Sequence, residues 1–269
     1  MRVDVLGWVS IQSDEGVRIA LAGEKTRLLL ALLACRANQK TCVDMVVDAL
    51  WGARPPKSST ANIQTYIWRI RRALGAAEPG ADNRLSYQSG GYGLCLAPGE
   101  SDIQEIQALT SAPHPHGGRA DPDLAAESLR RAYALWRGRP FSADAAGRSH
   151  VVAGELYRCE ELYLQVCEAY AVSALAAGAP GAVLPVMRRL IAEFPIRERL
   201  YAMAIRSLTA IGDGGAALGL YHQARTVLGQ ELGAEPGGEL RALHRSLLRG
   251  EPLPSGADAG AAADTAAAV

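Results

Sequence analysis

The chain has 269 residues, 49% of them hydrophobic, and a formal net charge of zero, so it can bury the core of one large domain or two ordinary ones. No apolar run reaches the roughly 18 residues of a membrane-spanning helix, and the first residues lack the apolar stretch of a signal peptide. We therefore expect a cytoplasmic protein without membrane contact. The five cysteines are odd in number and scattered, which favours five small buried hydrophobes over a disulfide framework or a metal site.

The neutral total conceals a division of charge along the chain. Residues 1–98 carry 12 Lys and Arg against 8 Asp and Glu, whereas residues 99–269 carry 16 against 20. Within residues 54–84 the balance is six basic side chains against two acidic ones. This local excess is a modest electrostatic footprint for a polyanion such as nucleic acid.

The first 52 residues predict a hairpin followed by two helices. Alternating hydrophobicity in residues 2–12 and 17–21, on either side of a polar turn, predicts two paired strands. The Leu- and Ala-rich segment 24–37 predicts a buried helix. A second helix is expected to begin near Thr41, whose hydroxyl can cap it, and to end at Trp51 and Gly52 before two prolines.

A third helix is predicted from Ser58 or Ser59 to Gly75. Its apolar residues Ile63, Ile67, Ile70 and Leu74 fall on one narrow stripe, which predicts a buried face. The opposite face is polar and basic, and no acidic residue occurs anywhere between Lys57 and Ala77. Because Asn, Gln and Arg are the side chains that pair with base edges, this face predicts insertion into a DNA groove.

A short hairpin is predicted after this helix, with two strands on either side of Ser89, Gly90 and Gly91. A hairpin that follows a basic helix is typical of a wing, where Arg84 is expected to contact phosphate. The residues predicted to bind DNA are Lys57, Ser58, Asn62, Thr65, Trp68, Arg69, Arg71, Arg72 and Arg84.

Four of these residues have a competing interpretation. Trp68 is equally consistent with packing against the wing, and Arg71, which lies off the groove face, suits either a phosphate contact or a solvated charge. Asn62 and Thr65 are weaker candidates for base contacts, because both also suit the first turn of a helix.

The rest of the chain predicts helices and a tail. Residues 110–123 have the composition of a loop, and helices are predicted over residues 123–137, 151–178, 180–194, 197–211, 214–228 and 237–249. Gly178 and Gly212 close helices 34 residues apart, the period of tetratricopeptide repeats. Residues 251–269 hold almost nothing large to bury and predict a disordered tail. We therefore divide the chain into residues 1–98, 99–250 and 251–269.

Catalysis and cofactor binding are not expected. Residues 23–26 imitate the end of a phosphate-binding loop, but the upstream glycine is missing. His114 and His116 lack a third metal ligand, and neither a catalytic triad nor paired carboxylates are visible. We predict no enzyme activity, no metal and no cofactor.

Several segments resemble a known family of regulators. The strings Ala-Leu-Trp-Gly (49–52), Thr-Tyr-Ile-Trp-Arg-Ile-Arg-Arg-Ala-Leu-Gly (65–75) and Gly-Gly-Tyr-Gly-Leu (90–94) are similar to the DNA-binding domain of OmpR-type response regulators. They resemble more closely the Streptomyces antibiotic regulatory proteins, in which this domain stands first and no phosphorylatable receiver precedes it. Residues 134–138, 194–200 and 232–244 resemble that family's bacterial transcriptional activation domain.

The resemblance implies a fold and a function over residues 1–250. The implied fold is an α+β winged helix-turn-helix followed by an all-α, tetratricopeptide-like domain. The implied function is a transcription activator, specific for a secondary-metabolite gene cluster, that binds direct repeats in double-stranded DNA as a homodimer and engages RNA polymerase. The wing departs from relatives, which often carry an Arg near the position of Gln88 or Ser89.

Two other functions remain open from the residues alone. One is a winged-helix repressor, or a regulator that responds to a ligand in the helical domain. The other is a repeat-type protein-interaction module whose N-terminal domain binds protein.

Overall fold

The computed structural model describes residues 1–111 and 130–254. It opens with an antiparallel sheet of three strands, β1 (Arg2–Asp4), β2 (Ser10–Gln12) and β3 (Arg18–Ile19). The predicted hairpin of two paired segments is instead a sheet of three strands, because residues 2–12 contain two strands in which Val3 pairs with Ile11. Gly7 lies between these two strands at a φ of +94°, a conformation that costs a glycine little.

Three helices follow: α1 (Glu24–Cys35), α2 (Val43–Trp51) and α3 (Ser59–Ala77). The predicted cap at Thr41 is wrong, because Thr41 belongs to a short strand, β4 (Thr41–Cys42), and pairs with Tyr92. Helix α3 also continues through Gly75 instead of ending there. A glycine costs a helix only about 1 kcal/mol, so it need not end one.

The predicted hairpin after α3 is confirmed as β5 (Leu85–Gln88) and β6 (Gly91–Leu94). Ser89 and Gly90 form its two-residue turn, and both have a positive φ, of 48° and 78°. Two central residues of this kind match the twist of antiparallel strands. Strand β6 lies between β5 and β4.

The remaining helices are α4 (Asp102–Ser111), α5 (Ala143–Arg148), α6 (His150–Ala176), α7 (Pro180–Glu193), α8 (Glu198–Ala210), α9 (Gly214–Leu232) and α10 (Gly238–Arg249). Residues 130–135 are helical as well. The five helices predicted after residue 150 are confirmed within a few residues at their ends, and the chain is predominantly helical with small antiparallel sheets near its N-terminus. Helices α4 and α5 were not predicted.

Part of the sequence prediction lies outside the described residues. This applies to most of the loop at 110–123 with His114 and His116, to the helix at 123–129, and to residues 255–269 of the tail. Among the residues that the structure describes, no helix is both long enough and apolar enough to cross a bilayer.

Packing groups residues 1–111 and 130–166 into one compact unit and residues 167–254 into a second. The sequence boundary drawn at residue 98 therefore lies inside the first unit. Within the second unit, the carboxylate of Glu198 accepts a hydrogen bond from the backbone N–H of Gly237 at 2.6 Å, just before α10. The rings of Tyr221 and His244 stack there with centroids 3.9 Å apart.

The cysteines only partly match their prediction. Cys35, Cys159 and Cys167 are buried, whereas Cys42 is half-buried and Cys95 is exposed. Cys95 points outward because it alternates with the buried Leu94 and Leu96. All five are free thiols.

Candidate nucleic-acid interface

Helix α3 presents one buried and one exposed face, as predicted. Ile63, Ile67, Ile70 and Leu74 are at most 3% exposed. The opposite face is formed by five exposed residues, which are Ala61, Thr65, Trp68, Arg69 and Arg72. Because the buried stripe fixes the rotation of the helix, the basic face is held outward without any further contact.

Trp68 is the largest side chain on this face and is 58% exposed. The guanidinium of Arg72 lies 5.5 Å from the centre of its ring, within the range of a cation–π contact. Trp68 borders a cleft of about 420 Å³ whose other wall is formed by residues 19–22. The hairpin β5–β6 does not line this cleft, and the competing interpretation, in which Trp68 packs against that hairpin, stays untested.

The two outward arginines differ in their freedom. A side chain at Gly23 would begin 3.5 Å from Nη1 of Arg69, so the Arg69 guanidinium rests close to the start of α1. The Arg72 guanidinium instead lies beside the Trp68 ring.

Arg71 joins α3 to the hairpin β5–β6. Its Nε donates a hydrogen bond to the backbone carbonyl of Leu85 at 2.9 Å, so its charge is not freely solvated. It borders a cleft of about 340 Å³ between α3 and this hairpin, together with Tyr87 and Tyr92, whose ring centroids are 5.0 Å apart. The hydrogen bond therefore ties together the two elements that flank the cleft.

Arg84 is engaged by acidic side chains at the start of the hairpin β5–β6. Its guanidinium donates to Glu100 at 2.5 Å and to Glu78 at 2.8 Å. The hydrogen bond to Glu100 raises the pKa of Arg84 most, and the hydrogen bond to Glu78 raises it further. Glu78 also accepts from the N-terminal amino group at 3.2 Å. The geometry favours a structural role, and the phosphate contact of Arg84 stays a prediction.

The predicted residues at the start of α3 partly bond to one another. Asn62 Nδ2 donates to the hydroxyl of Ser58 at 3.2 Å, and the hydroxyl of Thr65 donates to the carbonyl of Ala61 at 3.1 Å. Lys57 is exposed in the loop before the helix. Thr65 is exposed and has used its hydroxyl proton, so it keeps a methyl group for an apolar contact and a hydroxyl oxygen that can still accept a hydrogen bond.

The sequence alone did not indicate two residues that the fold brings to this surface. Lys40 Nζ donates to the carbonyl of Ser89 at 3.3 Å, which places a positive charge at the turn of the hairpin β5–β6. Tyr87 projects from β5 and is 55% exposed. The pairing of β4 with β6 brings Lys40 to this hairpin, and this long-range pairing has no local signal in the sequence.

Lys25, which imitates the lysine of a phosphate-binding loop, has a structural role. Its Nζ donates to the carbonyl of Leu50 at 3.0 Å and lies 4.5 Å from the centre of the Trp51 ring. Burial lowers the pKa of Lys25. A cation beside the last carbonyls of a helix stabilises that end, so Lys25 supports α2.

Comparison with known proteins relates this chain to transcriptional regulators. Residues 101–248 match the profile of the bacterial transcriptional activator domain. The regulatory protein DnrI of Streptomyces peucetius is 33% identical over 257 residues, which cover 94% of this chain and 93% of DnrI. The transcriptional regulator RedD of Streptomyces coelicolor is 32% identical over 258 residues, covering 94% of this chain and 72% of RedD.

The fold is similar to that of a solved regulator. EmbR of Mycobacterium tuberculosis, determined in complex with a low-affinity phosphopeptide, superposes with a TM-score of 0.76 at 27% identity. The match covers 98% of this chain and 69% of the EmbR chain. The similarity thus extends over both the surface around α3 and the helices that follow it.

Proposed function

Because the chain belongs to the Streptomyces antibiotic regulatory protein family, we propose that it is a sequence-specific DNA-binding activator of a secondary-metabolite gene cluster. The exposed face of α3 is the observation that supports this function most directly. It combines Trp68, Arg69 and Arg72 without any acidic neighbour on the helix, above a stripe that the core fully buries. A surface of this composition complements the negative major groove.

In this proposal α2 and α3 form a helix-turn-helix and the hairpin β5–β6 is its wing. Thr65, Trp68, Arg69 and Arg72 face the bases of the major groove. The start of α3 faces the phosphate backbone with Lys57, Ser58 and Asn62, and Lys40 supplies the charge at the wing. Arg71 and Arg84 are the less favoured phosphate contacts in this proposal, because both are also engaged within the fold.

We further propose that two protomers bind head to tail on direct repeats. Protein symmetry is mirrored in a DNA site, so a two-fold dimer would require a palindrome. The sequence contains no sustained heptad repeat that would provide the seam of a two-fold coiled coil. Repeats spaced by about 10–11 bp place both protomers on one face of the DNA.

The helices of the second unit are proposed to form tetratricopeptide-like pairs that contact RNA polymerase or the neighbouring protomer. Gly178 and Gly212 support this arrangement, because each follows a helix with a positive φ and they are 34 residues apart. The excess of acidic residues after residue 98 argues against a second DNA-binding surface in this part of the chain.

A gel-shift experiment on the promoters of the neighbouring genes tests DNA binding, and a reporter assay tests activation. We expect specific retardation at physiological salt and higher reporter output when the protein is present. Absence of specific retardation would refute DNA binding and favour a protein-interaction module. Retardation together with lower output would identify a repressor.

The spacing of the repeats tests the head-to-tail arrangement. Inserting about five base pairs between them moves the second site to the opposite face of the helix, and we expect cooperative binding to be lost. Inserting about ten or eleven should partly restore it. Footprints over an inverted repeat, or binding that ignores the insertion, would contradict this arrangement.

A further inference from the structure

Helix α2 is bonded to the start of α6, across the sequence boundary at residue 98. Oδ2 of Asp48 accepts a hydrogen bond from the hydroxyl of Ser149 at 2.6 Å and from the backbone N–H of Val151 at 3.3 Å. The Ser149 hydroxyl in turn accepts from the backbone N–H of Val152 at 3.1 Å. Asp48 and Ser149 together therefore satisfy two of the N–H groups that the first turn of α6 leaves without helical partners.

The end of α2 also touches this point directly. Gly52 follows the last residue of α2 with a φ of +58°, and its N–H donates to the carbonyl of Asp48 at 2.7 Å. A Cβ on Gly52 would lie 2.1 Å from the backbone oxygen of Arg148. Because real Cβ atoms do not approach backbone oxygens so closely, only glycine allows the two segments to pack at this distance.

The contact continues along α1. Arg36 Nη1 donates to Glu155 Oε1 at 2.7 Å, and Arg158 Nη2 donates to the carbonyl of Cys35 at 2.5 Å. Glu155 is 7% exposed, so this ion pair lies in a largely desolvated place. If this contact opened, a buried charge would lose its partner, and that loss costs free energy.

The junction lies next to the elements proposed to read DNA. Gly52 is the first residue of the loop that leads into α3. Trp51, the last residue of α2, contacts Tyr66 of α3 with ring centroids 6.4 Å apart. The junction thus contacts α3 in two ways, through the start of the loop and through this aromatic pair.

We propose that Asp48, Gly52 and Ser149 are positioning residues for DNA recognition, through which the start of α6 sets the orientation of α3. The inference rests on the proposed function. The selectivity for the operator then depends on the hydrogen bond between α2 and the residue before α6, and not only on the side chains that face the bases.

The test compares Asp48→Ala with Asp48→Asn in the full chain. Both variants remove the same charge, but only asparagine keeps an oxygen that can accept from Ser149 and Val151. The specific probe is a duplex that the wild-type protein selects from a random pool, and the nonspecific probe is a shuffled duplex of equal composition. Thermal unfolding followed by circular dichroism identifies the folded fraction of each variant.

We expect Asp48→Ala to bind the selected duplex about tenfold more weakly, roughly the loss of one bidentate base contact. Binding of the shuffled duplex should not change, and Asp48→Asn should retain most of the wild-type preference. A purely structural role would lower binding to both duplexes alike and would overturn the inference. Wild-type selectivity in Asp48→Ala would overturn it too.

The experiment also distinguishes two further outcomes. If Asp48→Ala does not fold, Ser149→Ala tests the inference instead, because it removes the hydroxyl that donates to Asp48. The quantity measured is again the affinity for the selected duplex divided by that for the shuffled duplex. If the wild-type protein selects no duplex from the pool, the proposed function fails and the inference fails with it. If the wild type selects a duplex and Ser149→Ala keeps the wild-type selectivity, the inference is refuted but the proposed function stands.

Discussion

The carboxylate of Asp102 accepts a hydrogen bond from the backbone N–H of Leu6 at 2.9 Å. The same carboxylate accepts from the N–H of Val5 at 3.0 Å and from Nη2 of Arg137 at 2.8 Å. Asp102 is fully buried, and this burial raises its pKa against the lowering effect of the two backbone bonds. One side chain of α4 thus accepts hydrogen bonds from two backbone N–H groups in the segment that follows β1.

We expect Asp102→Ala to lower the free energy of unfolding by about 2–4 kcal/mol, because it leaves buried N–H groups without an acceptor. Urea denaturation of the full chain measures the loss. Asp144→Ala is the control, since Asp144 is exposed in α5 and its removal should cost no more than about 0.5 kcal/mol. Equal losses in the two variants would contradict the importance assigned to Asp102.

A matched pair of glycines tests the strand pairing that places Lys40 at the wing. A Cβ on Gly91 would lie 2.7 Å from the backbone oxygen of Thr41, whereas a Cβ on Gly93 has no neighbour closer than 3.7 Å. We expect Gly91→Ala to lower the melting temperature and Gly93→Ala to leave it nearly unchanged. If the two variants melt alike, the close approach of β4 to β6 is wrong.

Thiol reactivity distinguishes the exposed cysteine from the buried ones. The hydrogen bond with Cys159 and burial raise the pKa of Cys35, whose sulfur lies 3.8 Å from that of Cys159. A buried thiol that stays protonated reacts slowly with disulfide reagents. We expect a fast phase in the native protein that Cys95→Ser removes, whereas Cys35 reacts only after unfolding. A fast phase that survives in Cys95→Ser and that Cys35→Ala removes would contradict the buried packing of α1 on α6.

The second unit should lose stability in mild acid. Burial lowers the pKa of His244, and electrostatic repulsion from His222 and Arg225 lowers it further. The unfolded chain therefore binds a proton more readily than the folded one, so the free energy of unfolding falls as the pH drops below the ordinary histidine value of about 6.5. Unfolding curves between pH 7.5 and pH 5.5 measure this decline.

His244→Phe keeps a ring against Tyr221 but cannot take up a proton, so we expect it to flatten the pH dependence. His150→Phe is the control, because His150 is exposed at the start of α6. A flattening of the same size in the control would assign the effect to something other than the stack with Tyr221.

The sequence predicted the helices well because their signal is local. The stripe from Ile63 to Leu74 has the period of a helix, and it correctly identified both the buried and the exposed face of α3. The same periodicity located five helices after residue 150. The alternating pattern of residues 2–12 failed because alternation shows which side chains are buried but not where the chain reverses.

The details of the site that the sequence did not reveal depend on long-range contacts. Arg71 and Arg84 look like free basic residues in the sequence, but Leu85 and Glu100 engage them in the fold. Lys40 reaches the wing only because β4 pairs with β6. The bond between Asp48 and Ser149 joins residues about a hundred positions apart, a separation that no local pattern indicates.

The most direct test of the account is the DNA affinity of Arg72→Ala, measured at several salt concentrations on specific and shuffled duplexes. Arg18→Ala, which removes an exposed arginine from β3, is the control. If Arg72 reads a base, its loss should cost about 1–3 kcal/mol on the specific duplex and reduce selectivity, without changing the fold. Equal affinity of Arg72→Ala, Arg18→Ala and the wild type for both duplexes would contradict recognition of DNA by this face of α3.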